Sequence, residues 1–273
     1  EIISKRDKRK DISCAYSINE DEIAFSKKEW EENKDMIKVY YGDLDLSRLK
    51  SAEGLILPNI ITGKLNLESL KSAKNVKLPD TVNGGLNLGS LKSAEGLVLP
   101  NTINEDLYLS SLTSAEGLVL PDTINGSLYL YNLTSVKGLV LPDTINGGLY
   151  LGSLKSAEGL VLPNIINEDL YLSSLTSAEG IVLPDTINGS LYLYNLTSAE
   201  GLVLPDTING VLDLGGLTSA KGLVLPISLF DNVRSNITIP DTCFISDEEY
   251  YKYINEDKNN ENNCSVKKYK MML

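Results

Sequence analysis

Serine returns every 21 residues, at Ser51, Ser72, Ser93, Ser114, Ser135, Ser156, Ser177, Ser198 and Ser219, without an insertion. Eight full units fill residues 51–218, and nine of the ten prolines, from Pro58 to Pro226, share one phase. A period of this size means a solenoid, in which each coil buries its apolar side on its neighbours. A second period overlies the first: residues 93–155 and 156–218 differ at only eight of 63 positions. Three coils have been duplicated as a block. A function carried by such coils belongs to a repeated surface rather than to one unique pocket.

One unit, Ser114 to Thr134, reads SAEGLVLPDTINGSLYLYNLT. Alternation predicts two strands, one over Gly117–Pro121 and one over Ser127–Leu133, because successive strand residues face opposite sides. Leu118, Leu120, Leu128 and Leu130 then point inward, joined by Ile124 and Leu133 from the turns, with Ala115 in a tight corner. Six large apolar side chains do not offset the entropy of ordering 21 residues, so an isolated coil is not viable. Pro121 lacks an N–H and is expected to end the first strand. Asn125-Gly126 is a turn dipeptide whose residues tolerate positive φ. The Asn phase persists from Asn83 to Asn209 even where Glu105 and Glu168 replace the glycine. Each Asn either makes its own turn or joins a ladder of amides along the coils.

The flanks differ. Ser26–Ile37 and Ser246–Ile254 read as short helices, the second with a Ser246/Glu249 capping box. Solenoid ends expose apolar faces, which gives both helices a capping role. Ile237–Phe244 repeats the unit's logic as a shortened last coil, with Cys243 at the isoleucine position as a buried small hydrophobe. The expected layout is an N-terminal flank and capping helix over 1–41, a solenoid over 42–245, and a capping helix with a disordered tail over 246–273. The fold class is a mainly-β repeat solenoid: a leucine-rich-repeat-like right-handed β-solenoid with short capping helices at both ends.

The unit resembles bacterial leucine-rich repeats of the BspA-like kind. The residues that carry the resemblance are Leu133-Thr134-Ser135, Leu141-Pro142-Asp143-Thr144-Ile145 and Ile237-Thr238-Ile239-Pro240-Asp241, and the match spans about residues 42–245. This unit is shorter than theirs and lacks their Ala-Phe and Cys signature. The resemblance implies a secreted or cell-surface binding module, often engaged with host proteins.

Outward rows are the candidate binding surface. Tyr108, Tyr129, Tyr150, Tyr171 and Tyr192 share one phase, with Tyr131 and Tyr194 two residues further on. Tyrosine offers large contact area at low entropy cost. The competing role is local, with stacked rings supporting neighbouring strands. Val98, Val119, Val140, Val161, Val182, Val203 and Val224 form another row, for which strand propensity is the favoured explanation and dimerisation along the row the alternative.

A net charge of −12 argues against nucleic acid, and the basic run from Lys5 to Lys10 reads as a solvated tail. No run approaches the roughly 20 apolar residues of a membrane span. The three cysteines, Cys14, Cys243 and Cys264, do not make a disulfide framework. There is no histidine, the acidic residues recur in register, and the Gly-Asp calcium-repeat pattern is absent. The reading is therefore a non-enzymatic module without cofactor or metal, presenting Tyr108, Tyr129, Tyr131, Tyr150, Tyr171, Tyr192 and Tyr194 to a protein or glycan in adhesion or host interaction. The chain starts at Glu1 with no apolar leader. A second reading is therefore a targeting domain of a larger secreted toxin or effector.

Overall fold

The structure, a computed structural model, describes residues 39–52, 55, 57–74, 76–226 and 236–238. The chain forms two compact units, Glu1–Gly147 and Gly148–Leu273. Each is a stack of 21-residue coils in a right-handed, mainly-β solenoid. Two short strands per coil pair with their counterparts in the coils before and after.

In the first unit, one sheet runs in chain order through β1 (Val39–Tyr40), β3 (Ile60–Ile61), β5 (Thr81–Val82), β7 (Thr102–Ile103), β9 (Thr123–Ile124) and β11 (Thr144–Ile145). The other runs through β2 (Leu44–Asp45), β4 (Leu65–Asn66), β6 (Leu86–Asn87), β8 (Leu107–Tyr108) and β10 (Leu128–Tyr129). The second unit repeats this with β13 (Ile165–Ile166), β15 (Thr186–Ile187) and β17 (Thr207–Ile208) in one sheet. Its other sheet holds β12 (Leu149–Tyr150), β14 (Leu170–Tyr171), β16 (Leu191–Tyr192), β18 (Val211–Asp213) and β19 (Asn236–Thr238). All pairings are parallel, and the partner of each residue is its equivalent one coil away, as in Leu128 with Leu107 and Leu170 with Leu191. A third side is stitched by single parallel bridges, Ser114 to Ser135 in the first unit and Ser198 to Ser219 in the second.

The core follows from that register. Ile124, Leu128, Leu130 and Leu133 are fully buried, and their counterparts Ile187, Leu191, Leu193 and Leu196 are equally enclosed. The corners are hydrogen-bonded turns. Leu118 N–H donates to the Ala115 carbonyl at 3.0 Å, and Gly117 between them has φ of 78°. Positive φ at the third position is the mark of a type II turn and favours glycine. Ser114 Oγ accepts the Glu116 N–H at 3.2 Å and braces the same corner. Leu133 N–H donates to the Leu130 carbonyl at 3.0 Å and closes another.

Three expectations are corrected. No helix occurs among the described residues, so the architecture they show is a strand-and-turn solenoid and not the expected one with capping helices; segments 26–37 and 246–254, on which these were predicted, lie outside the described residues. Within the coils, a Gly, Pro or turn every few residues leaves no run for a helix. The Gly117–Pro121 stretch is not a strand. The strand falls on Thr123–Ile124, beyond Pro121, so the missing proline N–H lies outside the ladder. Gly126, finally, is not among the positive-φ glycines. Its requirement is steric: a Cβ there would come within 2.4 Å of the Glu105 carbonyl carbon one coil away.

The Asn ladder is present. In the first unit Asn104, Asn125 and Asn146 each donate from Nδ2 to Oδ1 of the Asn one coil earlier, at 3.3, 3.0 and 2.9 Å. In the second, Asn188 and Asn209 do the same at 2.9 and 3.0 Å. One amide both donates and accepts, so a column of Asn satisfies itself along the stack. β19, which holds Ile237, pairs with β18 on the second unit, but Ile237 stands opposite Leu212, the phase of the Leu-Tyr strand, and not on the Leu-Val-Leu-Pro phase from which the last coil was predicted. The three cysteines lie outside the described residues.

Candidate tyrosine-lined binding face

Parallel register decides the arrangement of the tyrosines. Tyr129 pairs with Tyr108, Tyr150 with Tyr171, and Tyr171 with Tyr192. Strand spacing in a sheet is about 4.8 Å, close to the thickness of stacked rings, so identical outward tyrosines in register must stack.

In the first unit the Tyr108 and Tyr129 ring centroids lie 4.4 Å apart with planes 2° from parallel. Tyr131 leans beside them, 5.8 Å from Tyr129 at 36°. The Tyr108 hydroxyl donates to Asp106 Oδ2 at 2.8 Å, while Asp106 Oδ1 accepts the Ser127 N–H at 2.8 Å. One carboxylate thus ties a ring to its own coil and that coil to the next. Burial and then the Asp106 carboxylate hold the Tyr108 hydroxyl well above the ordinary phenol range. The Tyr131 hydroxyl is also raised, by partial burial and then by Tyr129. Lys64, two coils earlier, places Nζ 5.3 Å from the Tyr108 ring centroid, a cation–π contact. Because Lys64 comes from the side away from Tyr129, both faces of Tyr108 are occupied.

The second unit has the longer stack. Tyr150 and Tyr171 lie 4.7 Å apart at 21°, and Tyr171 and Tyr192 lie 4.1 Å apart at 18°. Tyr171 has a ring on each face. The Tyr150 ring folds back over Gly148, where a Cβ would come within 3.0 Å of it. Asp169 Oδ1 accepts the Ser190 N–H at 2.7 Å, as Asp106 does for Ser127.

All seven predicted tyrosines are therefore on one phase of their coils or two residues beyond it. The ladder rings are half-buried, and Tyr131 and Tyr194 are the exposed ones, at 40% and 57%. The local role holds for the ladder: its rings support one another, while their half-exposed edges reach the surface. Sequence reasoning missed Asp106 and Lys64. The Asp106–Tyr108 contact was signalled by its i, i+2 spacing, which puts both on one face of a strand; Lys64 reaches across two coils and left no such signal.

The valine row is exposed, with Val119 at 74% and Val203 at 78%. It lies outside the hydrogen-bonded strands, so strand propensity does not account for it, and nothing else in the structure explains an apolar side chain there. Among the described residues, no group of three or more His, Cys, Asp or Glu is placed to hold a metal ion. No helix among them is long and apolar enough to cross a membrane.

Comparison with protein-family models, curated proteins and solved structures returned no match. Fold and site define a class, the tyrosine-faced repeat β-solenoid, and the narrower leucine-rich-repeat resemblance rests on its motif residues alone.

Proposed function

We propose that the chain is a non-enzymatic binding module of the leucine-rich-repeat kind, whose tyrosine rows meet a protein partner at a secreted or cell-surface site. The observation that carries this reading is the stacking itself. Packed rings are already ordered, so a partner meets a rigid aromatic surface that loses little entropy on binding. Stacking also favours protein over glycan. A sugar that lies on an aromatic ring needs a free face, and Tyr171 has none. Apart from the last face of Tyr192, what the ladder offers is edges and hydroxyls, with the exposed Tyr131 and Tyr194 beside it, a combination that suits polypeptide.

The test is capture of partners from host or environmental extracts by the wild-type chain and by the Tyr131→Ser/Tyr194→Ser variant, with a glycan array in parallel. The expected result is a protein retained by wild type and lost by the variant. Retention of the same protein by both, or binding confined to glycans, would overturn the reading.

A further inference from the structure

The two ends of the tyrosine stacks are finished differently. In the first unit the outer face of Tyr108 is covered by the Lys64 ammonium. In the second, the row continues in register from Tyr192 to Asp213 and Thr238, two short side chains beside a flat ring. Among the described residues, no cation or ring lies on the Tyr192 face turned toward Asp213.

Asp213 is half-buried, and its Oδ1 accepts the Gly215 N–H at 2.9 Å. Its second oxygen has no protein donor among the described residues. Gly215 is the floor of this corner. A Cβ on it would come within 3.1 Å of Asp213 Oδ1 and 3.3 Å of Tyr194 Cδ2 and Cε2. The carboxylate and the exposed Tyr194 ring therefore converge over one bare glycine, next to the outer face of Tyr192.

We propose that Tyr192, Tyr194 and Asp213 form a niche for an arginine side chain of the protein partner. A guanidinium is flat enough to lie on the Tyr192 face and carries N–H groups for the Asp213 carboxylate. The contact repeats, with a partner's cation, what Lys64 does within the chain at Tyr108. A net charge of −12 favours the approach of such a partner. The inference rests on the protein-binding reading above and narrows it to a partner that presents arginine.

The experiment titrates the full chain, 13C-labelled in its tyrosine rings, with acetyl-Gly-Arg-Gly-amide and, separately, with the neutral isostere acetyl-Gly-citrulline-Gly-amide. Ring signals are assigned with single Tyr→Phe variants. The arginine peptide is expected to shift Tyr192 and Tyr194 in a saturable manner and leave Tyr108 in place, and the citrulline peptide to leave all three. Asp213→Asn keeps the turn acceptor, since Asn66 and Asn87 make the same bond at this phase, and should weaken binding at least about fivefold. Equal shifts with citrulline, shifts spread over the tyrosines, or unchanged affinity in Asp213→Asn would overturn the niche. A negative titration with capture still lost in Tyr131→Ser/Tyr194→Ser sinks the niche alone. A positive titration with capture unchanged in that double variant sinks the broader reading alone.

Discussion

At the scale of single residues, Asp106 and Tyr108 show most clearly how one bond serves both coil and surface. The Tyr108 hydroxyl donates to Asp106, and burial and that carboxylate both disfavour the phenolate. The pKa is higher in the folded chain than the usual ~10 of the unfolded one. Between those values the unfolded chain loses a proton that the folded one keeps, so the contribution is present below about pH 10 and is lost as pH rises through the folded value. Denaturant midpoints measured from pH 8 to 11.5, conditions on the order of the tyrosine range, should fall less steeply above pH 10 in Tyr108→Phe than in wild type. Equal slopes would mean that the hydroxyl is not held this way. The residues that build this site were legible to different degrees. Alternation marked every tyrosine as outward, because period two is a property of one strand. Lys64 over Tyr108 was not legible, because it depends on how far one coil stands from another.

At the scale of the element, glycine separates two demands that look alike in sequence. Gly117 needs positive φ and has open space around the position of a Cβ, whereas Gly126 has no positive φ but a Cβ on it would run into the Glu105 backbone carbonyl carbon. Gly117→Ala should cost about 1 kcal/mol, from backbone strain alone. Gly126→Ala forces adjacent coils apart and should cost more, roughly 2–3 kcal/mol. Urea denaturation of both variants checks the order; a Gly117→Ala cost above that of Gly126→Ala would contradict it. The strand boundaries were misread for a related reason. Gly-Leu-Val-Leu-Pro alternates well, but pairing needs N–H and C=O groups at a neighbour's spacing, and alternation says nothing about that. The strand went instead to Thr123–Ile124, where the Asn125 ladder holds adjacent coils together.

At the scale of the whole molecule, the 21-residue period made the solenoid legible, because stacking is the only way such coils bury their leucines. The flanks were the weak part: local helix signals near the ends do not report how a solenoid is finished. The same period makes coil number a variable. Removing residues 156–218 takes out three coils without shifting phase, and the shortened chain should keep a cooperative unfolding transition and a β-rich circular dichroism spectrum, with a lower midpoint. Loss of cooperativity would show that the coils are not interchangeable. The central claim is a division of labour, in which inward rows make the fold and exposed tyrosines do the binding. The direct measurement is urea denaturation and partner titration of the same Tyr131→Ser/Tyr194→Ser sample. The prediction is a stability within about 0.5 kcal/mol of wild type and an affinity reduced by about tenfold or more. A destabilised variant that binds as tightly as wild type would contradict it.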